Sequence, residues 1–582
     1  MKISKHLFLL FVFLTGLRGA HAQYANSWIN YGQQYFKIKV AANGVYRVNQ
    51  DALQAAGVPV GSVNGNTYQL FNRGASVPLY ASSATNPLSS ADFLEFYGVK
   101  NDGGTESTVY NSPADQSNDK LSMFSDTAAY FLTWSSSPNP AIVTDYNNVI
   151  SNPPAPEPYC LYTSTNVYGG PRTIANYIHG KPEIQGQSIW DSDFSPAEGY
   201  IDNVFNHTTV NKNVYTPYAY TAGSLAHLKT QWNGKFPTDH YMEISIAGTP
   251  VVTRSYFGFN VQRLDTVLST NALLGATNTP VAYSSVNNPT TSTDVNGISY
   301  VEITYPRQPN GDNASVFNFK LEAAAGPRYL AITNFNTQGS TPVLYDLTNK
   351  LRLTAVAGAA DTLKFLLPAA TGQRELVMVA NSNAVIATVA NVKPVTFTNF
   401  SSAANQGNFI IVSHPFFRND GTGNDYVEEY RQMKNAQGFQ AVVVDINDLR
   451  DQFAWGVDLN PLSIRNFTDY VLGTWPAGQK YMMLVGKGIE FEAYNADPTL
   501  RPYCYVPTWG YPGSDILLTA QPNNAAPRIP VGRLSIMTHQ ELKNYKDKVD
   551  EFVALQQQPQ TIENKRWMKN VLHLAGGENE ND

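Results

Sequence analysis

The chain has 582 residues and a formal net charge of −6, with 15% charged, 43% apolar and 12% aromatic side chains. A coiled coil would need far more Glu, Lys and Leu, and a disordered chain could not supply this much core-forming material, so both classes are excluded. The acidic balance is that of a soluble surface and argues against a nucleic-acid partner.

The first residues read as an address. Lys2 and Lys5 precede the unbroken apolar run Leu7 to Leu14, and Ala20-His21-Ala22 is a small-x-small cleavage site. Residues 1–22 are therefore expected to be a secretory signal peptide. No later stretch stays apolar for the ~20 residues that a membrane helix needs. Only Cys160 and Cys504 follow, so no disulfide framework is expected.

Residues 23–150 read as an N-terminal β domain. Phe36, Ile38 and Val40 alternate with Lys37 and Lys39, the period of a half-buried strand. Asn43-Gly44 tolerates the positive φ of a tight turn, and Val45-Tyr46-Arg47-Val48 returns. Phe93 to Tyr97 and Tyr130 to Trp134 are further aromatic-rich strands. The Pro-rich run from Pro153 to Pro158 reads as a linker, since ring-locked φ and missing N–H groups prevent a helix or a central strand.

Residues 159–403 continue in β style as a β-sandwich region. Met242, Ile244 and Ile246 alternate with polar residues, as do Val301, Ile303 and Tyr305, then Phe317, Phe319 and Leu321. Short strands between Gly, Pro and Asn clusters predict antiparallel sandwiches. The absence of a fixed repeat argues against a propeller or solenoid.

Residues 407–582 change texture. Phe409 to Val412, Ala441 to Val444 and Tyr481 to Val485 are continuous apolar strands, and Arg528 to Arg533 reads as a shorter one. A helix is expected over Asp425–Gln437 with Gly438 as its stop, and a second opens at Asn460-Pro461. Thr538-His539-Gln540-Glu541 is a capping box ahead of the apolar face Leu542, Tyr545, Val549 and Phe552. Asn570 to Ala575 reads as one more strand. Two-sided apolar strands alternating with helices predict a mainly parallel sheet.

Chemistry in such sheets sits at the carboxyl ends of the strands, here Ser413-His414, Asp445, Gly486 and Gly576-Gly577-Glu578. Gly486-Lys487-Gly488 resembles the start of a dinucleotide loop but lacks the third glycine. Asn419 to Asp425 offers carboxylate and amide oxygens of the kind a structural calcium takes, without EF-hand spacing; a plain turn capping the next helix, with Asn424 or Asp425 as the cap, is the better reading.

The phrases Tyr481 to Gly486, Tyr511-Pro512-Gly513-Ser514-Asp515, Ile529-Pro530-Val531-Gly532-Arg533-Leu534 and Val571 to Glu578, in that order, resemble the first half of a gingipain-type cysteine peptidase domain, a caspase-like α/β fold. Ala91 to Asp102 and Ser125 to Leu132 resemble the β region of PorU-type sortases of the type IX secretion system. The resemblance implies a secreted or outer-membrane-associated cysteine peptidase without a catalytic cofactor. It would act on the C-terminal sorting domains of secreted proteins through an acyl-enzyme, by proteolysis or transpeptidation, with outer-membrane secretion-system partners. It also implies that Glu578 orients the catalytic imidazole, and that the family's Gly-His-Gly turn and nucleophilic Cys fall downstream of Asp582, so that the chain alone is inactive. Cys504 precedes the place of the family's nucleophile and reads as structural. His179-Gly180 sits too far upstream to be the catalytic turn, and His414, His539 and His573 read as structural too. The competing reading is a non-catalytic, β-rich surface or binding protein with a degenerate peptidase-like domain.

Overall fold

A computed structural model describes residues 24–180, 183–184, 187–188, 191–288 and 293–572. Residues 1–22, the expected signal peptide, lie outside them. The molecule is mainly antiparallel β, with a few parallel pairings, up to the last third of the chain and α/β with a parallel sheet thereafter.

The alternation at Phe36, Ile38 and Val40 builds strand Tyr35–Val40. It lies between Ala128–Trp134 and Val392–Val395 in a five-stranded antiparallel sheet. The Asn43-Gly44 turn leads to Gly44–Asn49, which joins a second, fourteen-stranded sheet. That sheet carries strands from both sides of the Pro-rich run: Ile142–Asp145 pairs in parallel with Leu351–Thr354. Arg328 grips the run itself, donating to Glu157, while the Glu157 N–H donates to the Tyr329 carbonyl at 2.8 Å.

Two sandwiches hang from this long sheet. In one, the strands His227–Lys235 and Val295–Arg307 face the four-stranded sheet of Asp239–Ile246 and its neighbours across Trp232, Met242, Ile244, Val281 and Tyr283. In the other, Val316–Leu321 and Arg374–Val379 face a three-stranded sheet across Phe317, Leu330, Phe365 and Met378. Each fully buried side chain of this kind contributes ~1.5–3 kcal/mol.

The last segment forms a four-stranded parallel sheet in the order Ala441–Asp445, Phe409–Ser413, Tyr481–Val485, Val531–Leu534. Both faces are covered. Ile410 and Val412 pack into the core that holds helices Ile446–Phe453 and Leu462–Thr474. Ile411 packs on the other side with Val427, Tyr430 and Leu542 of helices Tyr426–Ala436 and His539–Gln557. Asp425 caps the first of these helices by accepting the Glu428 N–H, and Gly438 follows its end at φ +90°. The Thr538–Glu541 capping box forms in full. Of the strand expected at 570–575, residues 570–572 are irregular and the rest lies outside the described residues. Among the described residues no helix is long and apolar enough to cross a membrane.

The β region and the α/β segment share one core. Tyr110, Phe124, Tyr177, Phe194 and Tyr200 pack with Phe491, Tyr494 and Trp509. Lys37 and Lys39 reach across to Asp451 and Asp458, each at 2.5 Å.

Candidate active site

Beyond the carboxyl ends of the strands Tyr481–Val485 and Val531–Leu534 lies a cleft of about 400 Å³ lined by Lys487, Gly488, Glu490, Thr508, Asp515 and Arg533 among others. Gly486 turns the chain out of its strand at φ +127°, where an added Cβ would lie 2.8 Å from the Tyr505 Cβ, so glycine is required there. The N–H groups of Gly486 and Lys487 donate to the carbonyls of Leu534 and Ile536 at 3.0 and 2.9 Å. They are therefore committed to the sheet end and do not form a phosphate-binding cradle.

Arg533 organises the cleft. Its Nε and Nη2 grip the Asp515 carboxylate at 2.8 and 2.6 Å. Nη1 donates to the carbonyls of Gly486 and Val506, both at 2.8 Å, and Nη2 donates also to that of Pro507 at 2.9 Å. All five guanidinium N–H bonds are thus used, in the planar fork that only Arg supplies. The Val-Gly-Arg-Leu phrase marked this residue in the sequence, but nothing there showed that its partners would be loop carbonyls and Asp515. Glu490 adds a second tie, accepting the Gly513 N–H at 2.7 Å.

The candidate residues read from the sequence fall as follows. Glu578, the proposed orienting acid, lies outside the described residues, as do His573 and Gly576-Gly577. Cys504 is buried and its thiol exchanges weak bonds with Ile489, accepting from the N–H at 3.4 Å. Burial pushes its thiol up, the reverse of what a nucleophile needs. Cys160 is buried in the second sandwich, where desolvation pushes its thiol up to about 12. Both cysteines are free.

His414 ends its strand at the cleft side of the sheet. Its Nδ1 accepts the Phe416 N–H at 3.1 Å, and its ring lies 5.3 Å from that of Tyr505. Burial, with the Arg450 charge second, pulls its pKa down to about 4, so it is neutral and occupied as a cap. His539 Nε2 bonds to the Phe416 carbonyl at 2.6 Å. His179 lies between Tyr177 and Tyr511, at ring distances of 4.6 and 5.0 Å. In the Asn419–Asp425 turn, the Asp420 carboxylate accepts the Thr422 and Asn424 N–H groups at 2.8 and 3.1 Å and also both of their side chains. These bonds hold its carboxyl well below the usual range. Among the described residues there is no cluster of three or more His, Cys, Asp or Glu side chains placed to hold a metal.

Residues 402–582 match the model of peptidase family C25. The matched stretch holds the whole parallel sheet, the Arg533–Asp515 brace and the cleft. The gingipain-type resemblance carried by the phrases at 481–486, 511–515 and 529–534 is therefore shown for this segment. No curated protein matches the chain. Among solved structures, dimeric latent PorU from Porphyromonas gingivalis aligns over 89% of this chain and 49% of its own at 15% identity, with a TM-score of 0.52. That likeness shows the fold, β region and peptidase-like segment together, and the chain spans about half the length of that structure. A family 35 carbohydrate-binding module from Clostridium thermocellum covers 25% of the chain at 18% identity with a TM-score of 0.12, too slight a likeness to carry an argument.

Proposed function

We propose that the chain forms the β region and the first part of the catalytic domain of a secreted, gingipain-type cysteine peptidase. By its PorU-like resemblance this is a sortase at the cell surface that cleaves the C-terminal sorting domains of secreted proteins. The observation that carries the reading is the C25 match over the segment in which the strand ends open onto a braced cleft. In the proposed reaction a thiolate attacks the scissile carbonyl, the amine leaves with a proton from the imidazole, and water or an acceptor amine releases the acyl group. No catalytic cofactor enters. A calcium ion at the Asn419–Asp425 turn would be structural only, and it would have to displace the turn's own hydrogen bonds. The proposed partners are protein substrates and outer-membrane secretion components, and no nucleic acid.

Neither Cys160 nor Cys504 is assigned as nucleophile, because both are buried thiols. Glu578 is assigned to orient the imidazole, a role whose loss costs roughly 10⁴ in rate in the serine analogue. The test compares the chain alone with the chain joined to any coding sequence that follows Asp582, using a fluorogenic peptide and a thiol alkylator. The expected result is no turnover by the chain alone and alkylator-sensitive turnover by the longer protein, lowered by Glu578→Gln without loss of fold. Undiminished turnover of Glu578→Gln removes Glu578 from the site. A longer protein that never cleaves favours the binding-protein reading.

A further inference from the structure

The outer wall of the cleft is the loop from Tyr505 to Asp515, which supplies Thr508, Gly513 and Asp515 to the lining. Its internal hydrogen bonding is sparse. Trp509 and Ser514 exchange two backbone bonds, at 3.1 and 2.8 Å, and a short 3-10 turn follows at Ile516–Leu518. Three consecutive residues of the loop instead lean on the β region. The Trp509 ring is fully buried, and its indole N–H has no acceptor among the described residues. The ring is held by packing, with the Arg465 guanidinium of helix Leu462–Thr474 3.3 Å from its centroid and, from the β region, the Phe194 ring edge-on at 5.6 Å. Gly510, at φ +67°, passes so close to the Ser192 carbonyl that a Cβ would lie 1.7 Å from its oxygen. Tyr511 packs against the ring of His179 at 5.0 Å.

Phe194 is the hub of this contact. It is fully buried, stacks on Phe491 at 5.8 Å and meets Trp509 with its edge. Phe491 opens the helix that follows the cleft residues Gly488, Ile489 and Glu490. One ring from the β region therefore packs on Phe491, next in the chain after the lining residue Glu490, and on Trp509, next after the lining residue Thr508, without itself reaching the cleft. The backbone beside it is fixed in turn, because the Glu198 carboxylate accepts the Ser195 N–H at 2.9 Å and the Tyr177 hydroxyl at 2.5 Å.

We propose that Phe194 is a positioning residue for the cleft, through which the β region holds the Trp509–Asp515 loop in the shape that forms its outer wall. This rests on the reading of the cleft as the substrate site. It adds that the C25-type segment is not self-sufficient and borrows one wall's support from a domain outside the family match. Substrate access then depends on the β region staying docked.

The test is native-state hydrogen exchange on the chain, which needs no turnover. Its failure therefore leaves the peptidase reading standing, and failure of that reading leaves the exchange result standing. Phe194→Ala is expected to speed amide exchange across residues 508–515 about tenfold or more, with Phe409–Ser413 unchanged. Phe194→Leu, which keeps most of the buried volume, should recover the loop to within about threefold of the parent. Leu330→Ala makes a cavity in the second sandwich and controls for general destabilisation; it should leave the loop unchanged. If Phe194→Ala does not fold, Gly510→Ala perturbs the same contact from the loop side and should give the same local opening. Loop exchange within about twofold of the parent in whichever of these two variants folds overturns the proposal, as does a gain in Leu330→Ala that matches it.

Discussion

Replacing Arg533 by Ala removes every bond in the brace at once. Three carbonyls and a carboxylate lose their donor, and the Arg533 side chain is only 9% exposed while that of Asp515 is 27% exposed. Breaking a buried charge pair costs roughly 3–5 kcal/mol because the remaining charge is left without compensation. The cleft admits water beside Asp515, which places the cost at the lower end, about 3 kcal/mol, or roughly a 150-fold change in a local opening equilibrium. Global denaturant unfolding is the wrong assay, since a chain of several cores does not unfold in two states. Hydrogen exchange resolved by segment reads the quantity directly, at Val531–Leu534 and across 505–515. Arg533→Lys should recover less than half of the loss, because one ammonium offers three donors from a single point and cannot span a bidentate carboxylate and three carbonyls. The two halves of the brace should be coupled, so Asp515→Asn in the Arg533→Ala background should cost far less than in the parent. An increase of less than about fivefold in the opening of 505–515 for Arg533→Ala, or parental behaviour of Arg533→Lys, would refute the view that this guanidinium holds the cleft together.

Two further predictions use the buried titratable groups. Cys160 and Cys504 should both resist a maleimide in native buffer and both react after addition of denaturant, since each thiol is buried and pushed upward; rapid native labelling of Cys504 would reopen its candidacy as a reactive thiol. Glu198 is fully buried, and its carboxyl is pushed up to about 8, with burial as the main cause. Tyr177, Asp193 and Asp191 are its other titratable influences. Because the native state holds this proton more tightly than the unfolded chain, the group's contribution is complete below about pH 4.5 and is lost as pH rises toward 8. Glu198→Gln mimics the protonated acid, accepting the Ser195 N–H and donating to the Tyr177 oxygen. It should flatten the decline in local stability between about pH 5 and pH 8, followed by segment-resolved hydrogen exchange across 194–201 at several pH values, each rate referred to the intrinsic exchange rate at that pH. An unchanged slope would remove Glu198 from that titration.

What the sequence revealed, and what it hid, follows from where each partner lies. The parallel strands were legible because Ile410, Ile411 and Val412 are apolar on both faces, and only a sheet covered on both sides requires that. The helices Tyr426–Ala436 and His539–Gln557 were legible from their caps, whose partners lie three residues away. Helix Ile446–Phe453 was not. Its Asp448, Arg450, Asp451 and Gln452 look like a solvated face, yet all are buried, and all but Arg450 at the seam. There Asp451 meets Lys37, and Gln452 accepts from Tyr31 at 2.9 Å. A polar stretch reads as surface unless its partners, more than 400 positions away, are known. The pairing of Ile142–Asp145 with Leu351–Thr354 is hidden for the same reason, since strand alternation fixes faces and not neighbours. Arg533 stands between these cases: its phrase was recognisable, and its task was not.

On the proposed reading of the cleft as the substrate site, its charges carry one more consequence. Arg533 and Asp515 are spent on each other, and Glu490 gives one oxygen to the Gly513 N–H. That leaves Lys487, whose ammonium rests beside the Met537 sulfur at 3.9 Å, and the other Glu490 oxygen as opposed charges on the same lining. A cleft whose charges cancel discriminates weakly by charge. On that reading selection would rest on shape, and by the proposal above the shape would be set by the loop whose Trp509, Gly510 and Tyr511 contact the β region. Neutralising Lys487 therefore changes less about what this cleft admits than loosening a ring that never touches it.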